Sequence, residues 1–254
     1  MELVKTAVKV GNSAGVLLPR TWLNSQVKIV LEPLNIEKEI LEILAEENIL
    51  KKVNGIYVIG SYARGEQTID SDVDILVITS DINKRIKKGK YEIICISREE
   101  TERQLEKNAL PILSMIREAR AVINEDLIKE YSNRKLNKKN LKWHIETTKS
   151  AMNVVKASIK LSKEMNIKEN DSSAYSLILR LRTLYIIDCI RKNKMWSKKE
   201  FLKLVRNIGG SLIAYERYAS CKNKNTLKDL LPIEEAERLM NYINKKVREL
   251  EKNV

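Results

Sequence analysis

The stretch Val58–Thr79, which reads VIGSYARGEQTIDSDVDILVIT, constrains the fold of this chain more than any other. Two runs of mostly β-branched residues, Ile56–Ile59 and Val73–Thr79, are typical of buried strands. Gly60 and Ser61 follow the first run at once, which suits a tight turn that opens a short helix. The stretch therefore predicts a strand, a turn with a short helix, and a second strand.

Two acidic residues stand at the start of the second predicted strand. Asp72 and Asp74 are two positions apart, and residues two apart on a strand point to the same face. We therefore expect their carboxylates to converge. The backbone N–H groups at the start of the short helix form an anion site. Convergent carboxylates opposite a phosphate-binding turn are what a divalent metal bridging to a nucleoside triphosphate requires.

These residues carry a family resemblance. Gly60-Ser61, ten further residues and then Asp72-Val73-Asp74 resemble the G-S-x10-D-x-D signature of the DNA polymerase β-like nucleotidyltransferases. The segment Ala63–Gly65 is similar to the minimal nucleotidyltransferases of bacteria and archaea. The resemblance covers residues 36–130 and implies a mixed sheet with flanking helices.

The resemblance also implies an activity and a metal. Members of the family use Mg²⁺ to transfer a nucleoside monophosphate from ATP or another NTP to an acceptor. By this resemblance Asp72 and Asp74 are metal ligands, and a third carboxylate is expected on the strand predicted over Tyr91–Ser97. Glu92 stands where family members commonly carry Asp. Its longer side chain can still reach a metal, and a solvent-facing strand residue is the alternative.

The nucleotide-binding residues implied by the resemblance lie in the turn. Gly60, Ser61 and nearby backbone N–H groups would hold the terminal phosphates. Arg64 would add a bidentate contact to them, although an exposed helix arginine is an equal alternative. Asp70 is expected to cap the turn rather than to bind metal.

Charge and cysteine content indicate which kinds of partner the protein binds and in which compartment it works. The net charge is +13, and residues 136–254 account for all of it, with 26 Lys and Arg against 13 Asp and Glu. This basic half indicates either a nucleic-acid or other anionic partner, or merely solvated helices. The three cysteines have no metal-binding or disulfide spacing, which favours a reducing cytoplasm. No segment has the length and apolarity of a membrane span.

The N-terminal segment 1–34 predicts a separate strand-rich module. Its hairpin pattern KVGNSAGVLLP, with a further short strand over Val27–Leu31, resembles the swapped-hairpin AbrB/MazE-like modules. Some thirty residues cannot bury a core alone, so the module is expected to dimerise or to dock. Such modules often bind DNA; dimerisation without DNA contact is the alternative.

The remaining chain completes an α+β fold in three parts. The predicted domains are the N-terminal β-hairpin module (1–34), a polymerase β-like nucleotidyltransferase core (35–135) and a basic all-α bundle (136–254). Within the core, Asp81–Gly89 is predicted as a basic linker or short helix, and Arg120–Asn124 as a closing edge strand. Ser197 and Glu200 form a capping box before one helix of the bundle.

Several functions stay open at the level of sequence. The first is transfer of a nucleotide to a protein or RNA acceptor, in keeping with a toxin–antitoxin setting and a cytoplasmic homodimer. The second is a non-catalytic dimeric DNA-binding regulator whose core senses nucleotides or is a relic. A scaffold that binds neither is a weaker reading. A HEPN-type ribonuclease is disfavoured, because no arginine precedes the sole histidine, His144, at the spacing that family uses.

Overall fold

The computed structural model describes residue 5 and residues 7–29, 35–68, 71–166, 171–223 and 231–252. The chain divides into two compact units, Met1–Glu39 and Ile40–Val254. The first unit contains an antiparallel hairpin of strands β1 (Val8–Val10) and β2 (Ser13–Gly15). The N-terminal hairpin predicted from the sequence is therefore present.

Two details of this N-terminal unit differ from the expectation. The glycine-rich stretch Gly11–Gly15, predicted as a turn, is only partly one, because Ser13–Gly15 form β2 and Gly11 and Asn12 alone make the turn. No strand forms at residues 27–29 of the predicted Val27–Leu31 strand, and residues 30 and 31 lie outside the described residues. A single 3-10 turn is present at Arg20–Trp22.

The second unit is built on a five-stranded mixed sheet. Its strands are β3 (Val53–Ile59), β4 (Val73–Thr79), β5 (Lys84–Lys88), β6 (Tyr91–Ser97) and β7 (Arg120–Ile123). They lie in the order β5-β6-β4-β3-β7, in which only β4 and β6 are parallel. The predicted bounds of β4 and β6 are confirmed, and so is the edge position of β7.

The prediction of a linker or short helix over Asp81–Gly89 is wrong, because β5 lies there as an edge strand. β5 pairs with β6 in a hairpin that turns at Gly89, whose φ is +57°. Ile86 is the one buried residue of β5, and the four basic residues around it are exposed. Cross-strand pairing with β6 decides this structure, and lysines on an edge strand protect it from pairing with other chains.

Ten helices complete the described part of the chain. They are α1 (Ile36–Glu46), α2 (Gly60–Arg64), α3 (Arg98–Lys107), α4 (Ala109–Glu118), α5 (Glu125–Ser132), α6 (Lys138–Glu164), α7 (Asp171–Arg191), α8 (Lys198–Gly209), α9 (Ile213–Asn223) and α10 (Ile233–Glu251). The described residues from 136 onward are thus largely helical, as the sequence predicted. None of these helices is both long and apolar enough to cross a bilayer.

One hydrophobic core joins the sheet to the C-terminal helices. It runs from Tyr57 and Leu76 on the sheet, through Leu113 of α4, to Leu177 of α7 and Ile243 of α10, and all five side chains are fully buried. Because this core is continuous, the sheet and the helices hold each other in place. The division into domains at residue 136 stays a prediction.

Candidate active site

The site begins at the turn between β3 and α2. Gly60 has a φ of +69°, a conformation that side-chain-bearing residues rarely adopt. A Cβ atom at this position would also overlap Oδ2 of Asp74. Glycine is therefore required both for the turn and for the approach of Asp74 to it.

The sheet brings the predicted carboxylates to this turn. Asp74 lies in β4 opposite Ile59, the last residue of β3, and on its other side lies opposite Glu92 in β6. Directly paired residues of neighbouring strands share a face. Asp72 precedes Asp74 by two positions and is exposed, whereas Asp74 is half-buried. All three residues thus lie near the N-terminal ends of strands β4 and β6, next to Gly60.

The electrostatics of Asp74 reflect this crowding. Burial, together with the negative charges of Glu92, Asp72 and Glu118, raises the pKa of the Asp74 carboxyl to about 6. The positive charge of Arg64 opposes that shift. Burial and nearby like charges both raise the pKa of a carboxyl group, because both disfavour its charged form. The cluster is therefore suited to a cation.

Glu92 has a basic neighbour across the sheet. Lys87 of β5 is its direct partner in the ladder, and the Lys87 Nζ atom lies 2.5 Å from Glu92 Oε1. Both side chains are well exposed, and exposed ion pairs contribute little to stability. Lys87 can therefore release Glu92 at small cost.

The donor atoms at these strand ends fit a hard divalent cation, because carboxylate oxygens are the ligands that Mg²⁺ prefers. Asp72 and Asp74 would hold such an ion, with Glu92 as a further donor after it leaves Lys87. As the side chains stand, the described residues contain no group of three acidic, His or Cys side chains placed to hold a metal. The metal-binding and catalytic roles of Asp72, Asp74 and Glu92 stay predictions.

Arg64 lies inside the protein rather than at its surface. Its side chain is 8% exposed, pairs with Glu118 and donates from Nε to Glu66 Oε2 at 2.9 Å. The guanidinium also lies 4.1 Å from the ring centroid of Trp196, which contacts Arg182 as well. The alternative of an exposed helix arginine is thereby excluded. A phosphate contact by Arg64 stays a prediction, and the contacts present are to two carboxylates and an indole.

Glu118 is the residue that sequence reasoning missed. This carboxylate is 6% exposed at the end of α4, and its Oε1 accepts the backbone N–H of Gly60 at 2.9 Å. Its Oε2 accepts from Arg64. One N–H of the expected anion-binding turn is therefore occupied by a protein carboxylate. No local pattern marks Glu118, because its partners are more than fifty residues away in the sequence.

Glu66 links the turn to the C-terminal helices. Its carboxylate accepts the Ser197 hydroxyl at 2.6 Å and the backbone N–H of Lys198 at 3.1 Å, so it caps the start of α8. These hydrogen bonds and that from Arg64 outweigh the effect of burial and lower the pKa of Glu66 to about 2. The predicted capping box is half present, since Ser197 accepts the Glu200 N–H.

Two other residues singled out by sequence lie elsewhere. His144 is buried in α6, and desolvation together with the charge of Arg180 lowers its pKa to about 4. It is therefore neutral at physiological pH, as an ordinary core histidine is. Asp70 lies outside the described residues.

The glycines of the turn allow a matched test. Gly60→Ala is expected to reduce stability in urea denaturation by clearly more than Gly65→Ala. Both positions have positive φ, which costs an alanine about 1 kcal/mol. Only at Gly60 does the new Cβ displace Asp74, whereas nothing lies within 4 Å of a Cβ at Gly65. Equal losses in the two variants would contradict the close approach of Asp74.

The nucleotidyltransferase domain family matches residues 37–203, and the chain belongs to this family. A nucleotidyltransferase-like protein from Exiguobacterium sibiricum has 13% identity and a TM-score of 0.41, over 85% of this chain and 75% of its own. A spectinomycin adenyltransferase from Enterococcus faecialis, solved with ATP and spectinomycin, has 14% identity and a TM-score of 0.41, over 84% of this chain and 98% of its own. No match was found among curated proteins.

Proposed function

We propose that the protein transfers a nucleoside monophosphate from ATP or another NTP to a hydroxyl or similar group on a protein or RNA, in a Mg²⁺-dependent reaction that breaks the bond between the α- and β-phosphates and releases pyrophosphate. The observation that carries the proposal is the strand register that sets Asp74 opposite Glu92 and beside the Gly60 turn, with Asp72 two positions before Asp74. A bound Mg²⁺ would neutralise phosphate charge and lower the pKa of the acceptor hydroxyl.

The residues of the chain have separate tasks in this reaction. Asp72, Asp74 and Glu92 would hold Mg²⁺, which would supply positive charge for the triphosphate. Ser61 and the turn that begins at Gly60 would bind the terminal phosphates. The buried guanidinium of Arg64 would supply positive charge next to this turn. Glu118 holds the Gly60 N–H and keeps the turn in its left-handed conformation. Such fixed positioning is the main source of catalysis in phosphoryl-type transfers.

The acceptor and the biological setting are inferred from charge and from the N-terminal hairpin. The excess of 26 basic over 13 acidic residues in 136–254 favours an RNA or another anionic macromolecule over a small drug. The AbrB/MazE-like hairpin of residues 1–34 is proposed to mediate homodimerisation. Together they fit a toxin–antitoxin system.

The test is label transfer. The purified protein is incubated with Mg²⁺ and each α-³²P-labelled NTP, first with total tRNA and then with cell lysate. We expect label on one RNA or one protein band, dependent on Mg²⁺ and on one preferred NTP. Label on RNA defines an RNA acceptor, and label on a protein band defines a protein acceptor. No transfer to either, together with salt-dependent binding to duplex DNA, would contradict the proposal in favour of the DNA-binding regulator.

A further inference from the structure

Helix α6 exposes an apolar stripe on the side that faces away from its own core. Trp143, Val154 and Leu161 are 50%, 69% and 55% exposed. The stripe consists of Trp143, Thr147, Ser150, Val154, Ala157 and Leu161, with alternating spacings of four and three residues. The opposite face of α6 is buried at Met152, Val155 and Ile159.

Alternating spacings of four and three residues are the heptad pattern of a helix that packs along a second helix. An exposed tryptophan and two exposed large aliphatic residues in one line are more than scattered surface apolarity. The stripe also mixes large and small side chains, since Thr147, Ser150 and Ala157 lie between the large ones. Small residues between the large ones let two helix backbones approach closely.

The stripe is complementary to itself in the antiparallel orientation. A two-fold axis beside residue 152 places Trp143 opposite Leu161 of a second copy. The same axis places Thr147 opposite Ala157 of the second copy, and Ser150 opposite Val154 of the second copy. Every member of the stripe then has a partner, and each large residue at an end meets another large residue. Such reciprocal matching is the property of a two-fold symmetric interface.

The charges beside the stripe support the same orientation. Glu146 and Lys160 precede stripe residues at equivalent heptad positions, and such positions face each other in an antiparallel pair. Glu146 therefore meets Lys160 of the second copy, twice per dimer, in addition to the long and exposed ion pairs that they make within α6 with Lys142 and Glu164. Lys149 and Lys163 point to the other side, where they pair with Glu251 and Glu237 of α10. In a parallel pair, Glu146 would instead face the side of the neighbouring α6 that carries the buried His144.

We propose that α6 forms an antiparallel interface with α6 of a second copy of this chain, through the stripe from Trp143 to Leu161. This surface is distinct from the N-terminal hairpin and does not depend on the identity of the acceptor. The interface has two-fold symmetry, and Asn153 lies close to its axis. It joins two copies of the helical part of the chain.

The first experiment is sedimentation velocity of the full chain over a range of concentrations. Leu161→Glu is expected to raise the dissociation constant about a hundredfold, because each dimer would bury two charges against tryptophan. Leu161 is mostly exposed in one copy, so circular dichroism should stay unchanged. Leu50→Glu is the matched control, since Leu50 is 43% exposed and lies outside α6, and it should associate as the original chain does.

The second experiment tests the orientation by charge reversal. Glu146→Lys and Lys160→Glu should each weaken self-association about tenfold, because two attractive pairs become repulsive. An equimolar mixture of the two variants should recover association as a heterodimer, captured with a tag on one variant, since both facing pairs are then opposite in charge. Residues 1–34 are the same in all variants, so capture of each charge variant by a tagged copy of itself gives the background from the hairpin, and the mixture is expected to exceed that background.

Three outcomes would overturn the proposal. The first is that the unmodified protein shows no self-association that Leu161→Glu weakens. The second is a mixture of charge variants that associates no better than either variant alone. The third is an unchanged oligomer in which Leu161→Glu instead abolishes binding to RNA or to an acidic protein, which would assign the stripe to that partner.

Discussion

Exchanging Asp74 for asparagine is expected to reduce nucleotidyl transfer roughly a thousandfold, which is the scale of a lost metal ligand or a lost electrostatic contact at a transition state. Asparagine keeps the shape of the side chain beside Gly60 but removes its charge. Asp72→Asn should have a comparable effect. The measurement is the rate of label transfer from the α-³²P-labelled NTP, at saturating Mg²⁺, to the acceptor that the label-transfer experiment identifies.

The fold of the Asp74→Asn protein should be intact. Asp74 is half-buried among Asp72, Glu92 and Glu118, and their like charges and its burial hold its pKa at about 6. Removing one of four carboxylates relieves repulsion, so thermal unfolding should occur at an equal or higher temperature. Asp81→Asn is the control, because Asp81 is an exposed carboxylate paired with Lys52 outside the site. A full transfer rate in folded Asp74→Asn protein would refute the site assignment.

Removing the Glu118 carboxylate is expected to lower the free energy of unfolding by about 3 kcal/mol, the usual loss when one partner of a buried ion pair is deleted. Glu118→Ala leaves the Gly60 N–H without its acceptor and leaves Arg64 with Glu66 alone. Urea denaturation measures the change. Glu237→Ala, which removes a more exposed partner of Lys163, should cost no more than ~0.5 kcal/mol.

A double-mutant cycle separates the ion pair from simple loss of packing. Arg64→Met and Glu118→Leu should each be destabilising, because each removes the ion-pair partner from a charge that is more than nine-tenths buried. The double variant should lose clearly less stability than the sum of the two, since neither charge then remains. Strict additivity would show that Arg64 and Glu118 do not act as a pair.

The sequence was informative wherever the signal lies within a few residues. The β-branched runs gave the bounds of β4 and β6, because such side chains fit a buried pleated strand. Ser197 marked the start of α8, because its hydroxyl accepts an N–H three residues on. The spacing of Asp72 and Asp74 predicts that both point to one face; Asp74 lies in β4, Asp72 lies just before it, and their convergence stays a prediction.

The sequence did not predict, or wrongly predicted, structure that depends on contacts between residues far apart in the chain. β5 was predicted as a linker or short helix, because a run of four basic residues around one isoleucine has no strand signal until β6 pairs with it. The partners of Arg64 are equally hidden. Glu118 is 54 residues away from it, and the α8 start that Glu66 caps is 131 residues from Glu66.

The sequence by itself determined the turn, the paired aspartates and the helical second half, because these follow from backbone preferences of neighbouring residues. Only the tertiary structure decided what surrounds them. It placed Glu92 beside both Asp74 and Lys87, and it made Glu118 the acceptor of the Gly60 N–H. It also packed one face of α6 against the core, which left the heptad stripe exposed. These contacts depend on how the sheet and helices pack, and packing brings together residues that no local pattern connects.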